Sequence, residues 1–377
     1  MDLLKSISRA VRLPDGAYAV RETVTVPVTE DDAVGGCPQI SSRARYTGDK
    51  APSLTYALFM EGETAPFYRA PVYSVGSSPE AISQQWRFPP FFRTGLRAEL
   101  ILTVPEGCEL DLYRLSLDTV SVFPRWEGGP RHNAHLGFSD LAPQNTMPAF
   151  ELAAQCGFPA CIVVPKVTKD GVLVCLHDQT LTRTARDENG NPPDREIDVS
   201  SLTYEELLAW DFGSWKSSAF RGTKIPRLYD FFVLCAKTGM RPMFSTHPAL
   251  TEEQWREVKD MLTKLGILDR FHIKSFSLGI LKTAYAVFGD VIDGYTWDDG
   301  RTEELKNSVF AHAACRVGVE HRMSAVTEAS VREILDAGFF AAVWNVGRKS
   351  SEDYRRVMAY GVTEFTEDAH CSMGLNW

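Results

Sequence analysis

The feature that most constrains the fold is a repeat of short apolar runs and longer amphipathic runs over the last two thirds of the chain. Runs with helical periodicity separate most of the apolar ones, for example 252–265 and 328–337. Alternating strands and helices form a parallel sheet, so the sequence predicts a TIM (β/α)8 barrel. The eight predicted strands are Ala134–Phe138, Cys161–Val167, Arg241–His247, His272–Phe276, Val291–Trp297, Cys315–Glu320, Phe340–Val346 and Val362–Thr366.

The N-terminal third of the chain has a different pattern. Between Ala17 and Phe123 it reads as short strands in which apolar and polar residues alternate, separated by turn residues. This pattern predicts an all-β sandwich over residues 1–127. Within it, residues 104–113 resemble strands of jelly-roll accessory modules. The glycine and proline residues of 128–131 form a natural boundary, so the α/β barrel is predicted for 128–377.

Three aromatic residues of the predicted sandwich, Trp86, Phe91 and Phe92, suggest a platform for a carbohydrate ligand. Burial in the sandwich core or in a domain interface is the alternative interpretation.

Composition excludes some classes of protein. The formal net charge of the 377 residues is -9, which argues against nucleic acid as the main partner. No run approaches the 18 apolar residues of a membrane span, and the first ten residues lack the apolar core of a signal peptide. The expected location is the cytoplasm. The eight cysteines have no zinc-finger spacing and are interpreted as structural thiols.

The densest motif runs from Ala160 to Asp178. It reads as a strand, an Asp-Gly turn, a second strand and then the pair His177-Asp178. Upstream lie His135-Leu-Gly137 and Pro143–Thr146, and downstream lies Leu181–Thr184. In frame and spacing, these motifs resemble those of the glycerophosphodiester phosphodiesterases. The resemblance runs from about residue 132 to the C-terminus and implies a TIM barrel with an insertion after the second strand, here about residues 179–227.

The resemblance implies that His135 and His177 are the general acid and base for a phosphodiester. Imidazole suits this role because its pKa lies near neutrality. A lone histidine is more often structural, but here two occupy the family's positions.

The resemblance also implies three carboxylates that hold a metal ion, at positions that here are Ile162, Val164 and Ser245. Calcium and magnesium need oxygen ligands, chiefly carboxylates, so we expect neither ion to be bound and no cofactor to be required. One other ligand set stays open on the sequence: Asp140, Asp178 and Glu320.

Other side chains near the predicted strand ends are candidates to contact the phosphate or the rest of the substrate. Lys166 shares a strand face with Ile162 and Val164, because side chains alternate across a strand. Its alternative interpretation is a solvated residue that enters the Asp-Gly turn. The full set of candidate substrate residues is Lys166, His247, Lys274, Trp344 and Glu320.

Together these observations predict hydrolysis of a glycerol- or polyol-linked phosphodiester by two histidines, without the usual divalent metal. The alternative is an inactive family member that binds a phosphate-containing or sugar-containing ligand. Either way the expected partner is a small anionic molecule, with no nucleic acid and no membrane span.

Overall fold

The architecture is given by a computed structural model. It describes residues 11–12, 18–25, 36–60, 64–66, 68–69, 73–87, 96–121, 130–246, 249–298, 302–344 and 351–367. These residues divide into two compact units, one within 11–121 and one within 130–367. Within those ranges, no helix has both the length and the apolar character needed to cross a membrane.

The N-terminal unit consists of two antiparallel sheets, so the predicted all-β region is confirmed. One sheet has the order β1-β2-β8-β4-β5 with β6 also paired to β4, and the other has the order β7-β3-β9. Its strands are β1 (Val11–Arg12), β2 (Tyr18–Thr25), β3 (Gly36–Thr47), β4 (Ser53–Met60), β5 (Tyr68–Arg69), β6 (Tyr73–Ser74), β7 (Ile82–Arg87), β8 (Leu96–Val104) and β9 (Glu109–Ser121). Phe91 and Phe92 lie outside the described residues, and Trp86 is described only as backbone of β7. The carbohydrate platform therefore stays a prediction.

The second unit is a closed barrel of eight parallel strands, which confirms the predicted fold. Its order is β10-β11-β14-β15-β16-β17-β18-β19. The strands are β10 (Arg131–His135), β11 (Ala160–Val163), β14 (Arg241–Ser245), β15 (His272–Ser275), β16 (Gly294–Asp298), β17 (Arg316–Arg322), β18 (Phe340–Trp344) and β19 (Val362–Glu367). Apart from β11, each predicted strand agrees with the observed one to within three residues at both ends.

Helices follow most of the strands. They are α1 (Met147–Gln155), α2 (Tyr204–Leu207), α3 (Leu228–Thr238), α4 (Glu252–Lys264), α5 (Leu278–Phe288), α6 (Thr302–Lys306), α7 (Glu328–Asp336) and α8 (Ser351–Ala359). Short 3-10 helices span Val199–Ser201, Ser218–Phe220, Leu268–Arg270 and Val309–His312. Alternate strand residues point outward to these helices. The Phe244 ring of β14, for example, lies 5.9 Å from that of Phe232 in α3 and 6.0 Å from that of Trp255 in α4, between centroids.

The second predicted strand, Cys161–Val167, is not continuous. After Val163 the chain leaves the barrel, and β12 (Pro165–Val167) pairs with β13 (Leu173–Cys175) as a separate antiparallel hairpin. Pro165 has no N–H group and cannot extend the ladder, which accounts for the break.

The insertion after this hairpin has an apolar cluster of its own. Side chains of the hairpin join those of the insertion in it, and its buried members are Val174, Leu176, Leu181, Ala185, Val199, Leu207, Phe212 and Ile225. The insertion thus packs on the hairpin that leads to His177.

Ion pairs across strands close the N-terminal end of the barrel, between Arg131, Arg241 and Arg316 on one side and Asp293 and Glu364 on the other. The buried His272 ring joins them, with Nδ1 2.9 Å from Oδ2 of Asp293. A cavity of about 420 Å³ opens beside them.

Candidate active site

Strand pairing sorts the inward side chains into layers, with each layer drawn from alternate strands as in other TIM barrels. One layer near the C-terminal end contains His135, Ser245, Asp298 and Trp344. The layer beneath it contains Ile162, Lys274, Glu320 and Thr366. The first layer lies at the barrel mouth, where active sites of this fold are built.

His135 is the last residue of β10, and a tight turn fixes its position. Leu136 and Gly137 have φ of 60° and 84°. A Cβ at position 137 would lie 2.5 Å from the Cβ of Ala149, so only glycine fits there. The turn thereby docks against the start of α1.

Asn145 ties the same turn to the neighbouring strand. Its backbone N–H donates to the carbonyl of Leu136 at 2.9 Å, and its side-chain Oδ1 accepts from the Val164 N–H at 3.2 Å. The ends of β10 and β11 are therefore held together beside His135.

His177 reaches the same end of the barrel through the hairpin. The Leu176 N–H donates to the carbonyl of Val164 at 3.0 Å, which returns the chain to the end of β11. The next residue, His177, has a half-exposed side chain whose Nδ1 lies 2.8 Å from Oδ1 of Asp178. When Nδ1 donates this hydrogen bond, Nε2 is left to exchange a proton.

Asp178 is in turn held by Arg183. The guanidinium donates from Nε to Oδ2 at 2.6 Å and from Nη2 to Oδ1 at 2.8 Å. Burial opposes ionisation of Asp178, but the hydrogen bonds from Arg183 and His177 outweigh it and the pKa lies below its usual value. Asp178 is thus a fixed anion beside the His177 ring.

Lys166 is buried, so its interpretation as a solvated turn residue is wrong. It lies on β12 opposite Val174, and cross-strand partners share a face, so Lys166 meets the insertion. Burial lowers its pKa, while the charges of Asp178 and Asp198 oppose that shift. The strand break at Pro165 separates it from the inward layer of Ile162.

Lys274 and Glu320 form a buried ion pair, a relation that sequence patterns did not reveal. The Lys274 ammonium bonds Glu320 Oε2 and lies 3.4 Å from Oδ2 of Asp298. Thr366 donates to Oε1 of Glu320 at 2.6 Å. Burial raises the pKa of Asp298 well above its usual value; the charge of Lys274 opposes this shift and that of Glu320 adds to it. The floor of the mouth therefore carries one ammonium and one carboxylate that offset each other.

Trp344 lies at the mouth beside the side chains of Phe276 and Arg322. The Phe276 ring packs edge-on against it at 5.7 Å between centroids, and the guanidinium carbon of Arg322 lies 4.6 Å from the ring centroid. Inward alternation from Lys274 to Phe276, and from Glu320 to Arg322, is the signal that places both of them there. His247 lies outside the described residues.

The residues at the family's metal positions do not fit a calcium or magnesium ion. Ile162 is fully buried in a cluster with Ala160 and Met243, Val164 is buried, and Ser245 offers a single neutral oxygen. In the part of the chain that the structure describes, no three histidine, cysteine or carboxylate side chains form a metal-binding group. Two members of the alternative ligand set, Asp178 and Glu320, are already held in ion pairs.

Parts of the chain are similar to known proteins. A glycerophosphodiester phosphodiesterase from Caldanaerobacter subterraneus subsp. tengcongensis is 37% identical over 101 residues, which are 27% of this chain and 38% of that protein. Another from Bacillus altitudinis is 30% identical over 154 residues, 39% of this chain and 58% of that protein. The chain thus spans less than two thirds of the length of either relative.

Among solved structures, an Oleispira antarctica phosphodiesterase in complex with the product sn-glycerol-3-phosphate has a TM-score of 0.56 and 23% identity. It covers 65% of this chain and 95% of its own, which shows that the barrel fold is shared. Residues 135–369 match the model of the glycerophosphoryl diester phosphodiesterase family. Because that match covers more than half of the sequence and includes both histidines, the chain belongs to the glycerophosphoryl diester phosphodiesterase family.

Proposed function

We propose that this protein hydrolyses a glycerol- or polyol-linked phosphodiester, with His135 and His177 as its acid and base. The hydrogen-bonded chain from Arg183 through Asp178 to His177 is the observation that carries the proposal. A histidine with one nitrogen on a fixed carboxylate and a half-exposed ring is suited to proton transfer near neutral pH.

In this mechanism, His177 takes a proton from water as the water oxygen forms its bond to phosphorus. Asp178 stabilises the imidazolium that results, as the carboxylate does in other His-Asp pairs. His135 donates a proton to the leaving alkoxide as the second phosphorus–oxygen bond breaks. The products are a phosphomonoester and an alcohol, and each histidine then exchanges its proton with water.

We propose that this reaction proceeds without a bound metal ion. A metal at the family's positions would supply a Lewis acid for the phosphoryl oxygens, but Ile162, Val164 and Ser245 cannot hold one. Lys166 is assigned to the hairpin, where its charge supports Asp178 and Asp198.

The substrate class follows from the family and from one structural relative. The Oleispira antarctica phosphodiesterase binds sn-glycerol-3-phosphate as its product, which supports a glycerol-linked diester for this chain as well. Phe276 and Trp344 would pack against the carbon skeleton of such a ligand. The cytoplasmic location stays part of this proposal.

A second candidate function is binding without turnover. It is favoured by the floor of the mouth, where Lys274 is neutralised by Glu320 and the family's ligand positions are apolar. Such a protein would still bind a phosphate-containing or sugar-containing molecule.

The deciding experiment is a turnover assay with glycerophosphodiesters and bis-p-nitrophenyl phosphate across a range of pH. Phosphomonoester release that His177→Ala abolishes supports hydrolysis. Absence of turnover at every pH, together with saturable phosphate binding, supports the binding protein instead.

A further inference from the structure

Four of the cationic side chains that the structure describes lie near the barrel mouth, and acidic groups offset the charge of three of these four. Lys274 is bonded to Glu320 in the floor. Arg183 is bonded to Asp178 through two nitrogens. Lys166 is buried on the hairpin in the field of two aspartates. The positive charge of each is therefore already offset within the protein.

The fourth cation, Arg322, has a different environment. It is the last residue of β17 and lies two residues beyond Glu320, so it shares that inward face one step closer to the mouth. It pairs in register with Trp344, the last residue of β18. No ion pair to its guanidinium is found among the residues that the structure describes.

Stacking on Trp344 orients the guanidinium without using its hydrogen-bond donors. The guanidinium carbon lies over the indole ring at 4.6 Å, so the five N–H groups remain directed around its edge. A planar guanidinium held in this way can bind two oxygens of a phosphate, and its orientation is fixed before the ligand arrives.

Two buried polar atoms in the layer of His135, below the Arg322 side chain, also indicate a ligand. The indole Nε1 of Trp344 and Oδ1 of Asp298 are buried and have no hydrogen-bond partner in the described part of the chain. Buried polar groups are normally satisfied by protein, water or ligand. Both atoms belong to the layer that contains His135.

We propose that Arg322, held on Trp344, binds the phosphoryl oxygens of the anionic ligand at the barrel mouth. Its identification with a phosphodiester substrate rests on the proposed function, whereas phosphate binding itself does not. The charge of one guanidinium above a neutral floor matches the single negative charge of a diester. In this proposal Arg322 supplies positive charge that a metal ion at the family's positions would otherwise supply.

The test compares two arginines that stack on aromatic rings in the same way. Arg227 lies over Tyr204 at 4.6 Å within the insertion, and Arg227→Met is the matched control. Inorganic phosphate is titrated calorimetrically into wild type, Arg322→Met, Arg322→Lys and the control. We expect Arg322→Met to weaken phosphate binding roughly tenfold or more, the scale of a charged hydrogen-bonded pair. Arg322→Lys should recover part of the affinity, and Arg227→Met should stay within about twofold of wild type.

Two results would overturn the inference: phosphate affinity that Arg322→Met leaves unchanged, and a wild-type protein with no saturable phosphate binding. The proposed function fails separately. If wild type shows no turnover but Arg322→Met weakens phosphate binding, the inference is supported and the proposed hydrolysis is contradicted. If turnover depends on His177 while Arg322→Met binds phosphate as wild type does, the proposed hydrolysis is supported and the inference about Arg322 is contradicted. Equal unfolding temperatures for wild type and Arg322→Met exclude misfolding as the cause.

Discussion

The two ends of the barrel use charge in opposite ways. At the N-terminal end, Arg241 lies 2.5 Å from Asp293, and Arg316 lies 2.6 Å from Glu364. At the C-terminal end, His177 is half exposed and Arg322 stacks on a ring with no ion pair among the described residues. The charged groups at the first end bond each other across strands. At the second end Lys274 and Arg183 are also paired, but Arg322 has no ion pair among the described residues.

This difference separates stability from function within one barrel. Stability of the folded state requires that the buried charges at the N-terminal end are all paired, because a buried charge without a partner is strongly destabilising. In the proposed function, the C-terminal end has fewer paired charges so that its side chains can bind a ligand and transfer protons. Substitutions at the two ends should therefore change different measured quantities.

The largest effect is expected from Asp293→Ala at the N-terminal end. Arg241, Arg316 and His272 would all lose the same partner, and breaking a buried ion pair costs about 3–5 kcal/mol of unfolding free energy. Urea unfolding measures this loss, while the turnover number of the folded enzyme should stay the same. Asp269→Ala is the control, since Asp269 lines the same cavity. A loss below about 1 kcal/mol would contradict the comparison.

The shifted pKa of Glu364 predicts how the unfolding free energy depends on pH. Burial opposes its ionisation, but Arg241, His272 and Arg316 outweigh burial and lower its pKa to about 2. The folded state therefore binds fewer protons than the unfolded state, whose carboxyl has a pKa of 4.5. The stabilisation is complete above 4.5 and is lost as pH falls towards 2, and it is on the order of 3 kcal/mol.

Glu364→Gln should remove this pH dependence. Unfolding free energy measured from pH 6 to pH 2 should fall less steeply in the variant than in wild type. Glu328→Gln is the control, because Glu328 forms an exposed pair with Arg332. If the unfolding free energy falls equally steeply with pH in Glu364→Gln and in wild type, the N-terminal ion pairs do not stabilise the ionised form of Glu364.

At the C-terminal end the expected loss is in turnover. His135→Ala and His177→Ala should each reduce the turnover number by roughly 100-fold or more, the usual contribution of a proton-transfer group. For His177→Ala, unfolding free energy should change by less than about 0.5 kcal/mol, since the side chain is half exposed. His312→Ala, an exposed histidine in a 3-10 helix, is the control. Unchanged turnover in both active-site variants would remove the acid–base pair from the mechanism.

Sequence patterns predicted the barrel well because each strand can be recognised from the apolar residues within its own short segment. Seven strands and the turn at Asp170-Gly171 need only local information. The positions of His135 and His177 followed from the family motifs, which are also short. What local patterns predicted poorly was the end of β11, since the effect of Pro165 depends on which neighbour the strand would have to pair with.

Pairings between distant residues could not be predicted in the same way. Lys274 and Glu320 were each assigned to the ligand, yet they bond each other across 46 positions of sequence. Arg131 and Glu364 are 233 positions apart, and the Arg131 guanidinium donates to the Glu364 carboxylate at 3.5 Å. Closure of the barrel brings such residues together, and no motif records it.

The smallest expected effect concerns metal ions, and it tests the C-terminal end most directly. Ile162 and Val164 have no donor atoms, and Ser245 has one neutral oxygen, whereas calcium takes six to eight oxygen ligands. Any diesterase activity should therefore be the same before and after dialysis against EDTA. Elemental analysis of the purified protein should find less than one calcium or magnesium per chain. Added calcium and magnesium should leave the Michaelis constant and the turnover number unchanged. If activity disappears with the chelator and returns with either ion, carboxylates elsewhere at the mouth hold a metal. A metal ion at the C-terminal end would then balance the phosphate charge, and the role proposed for Arg322 would be shared with that ion.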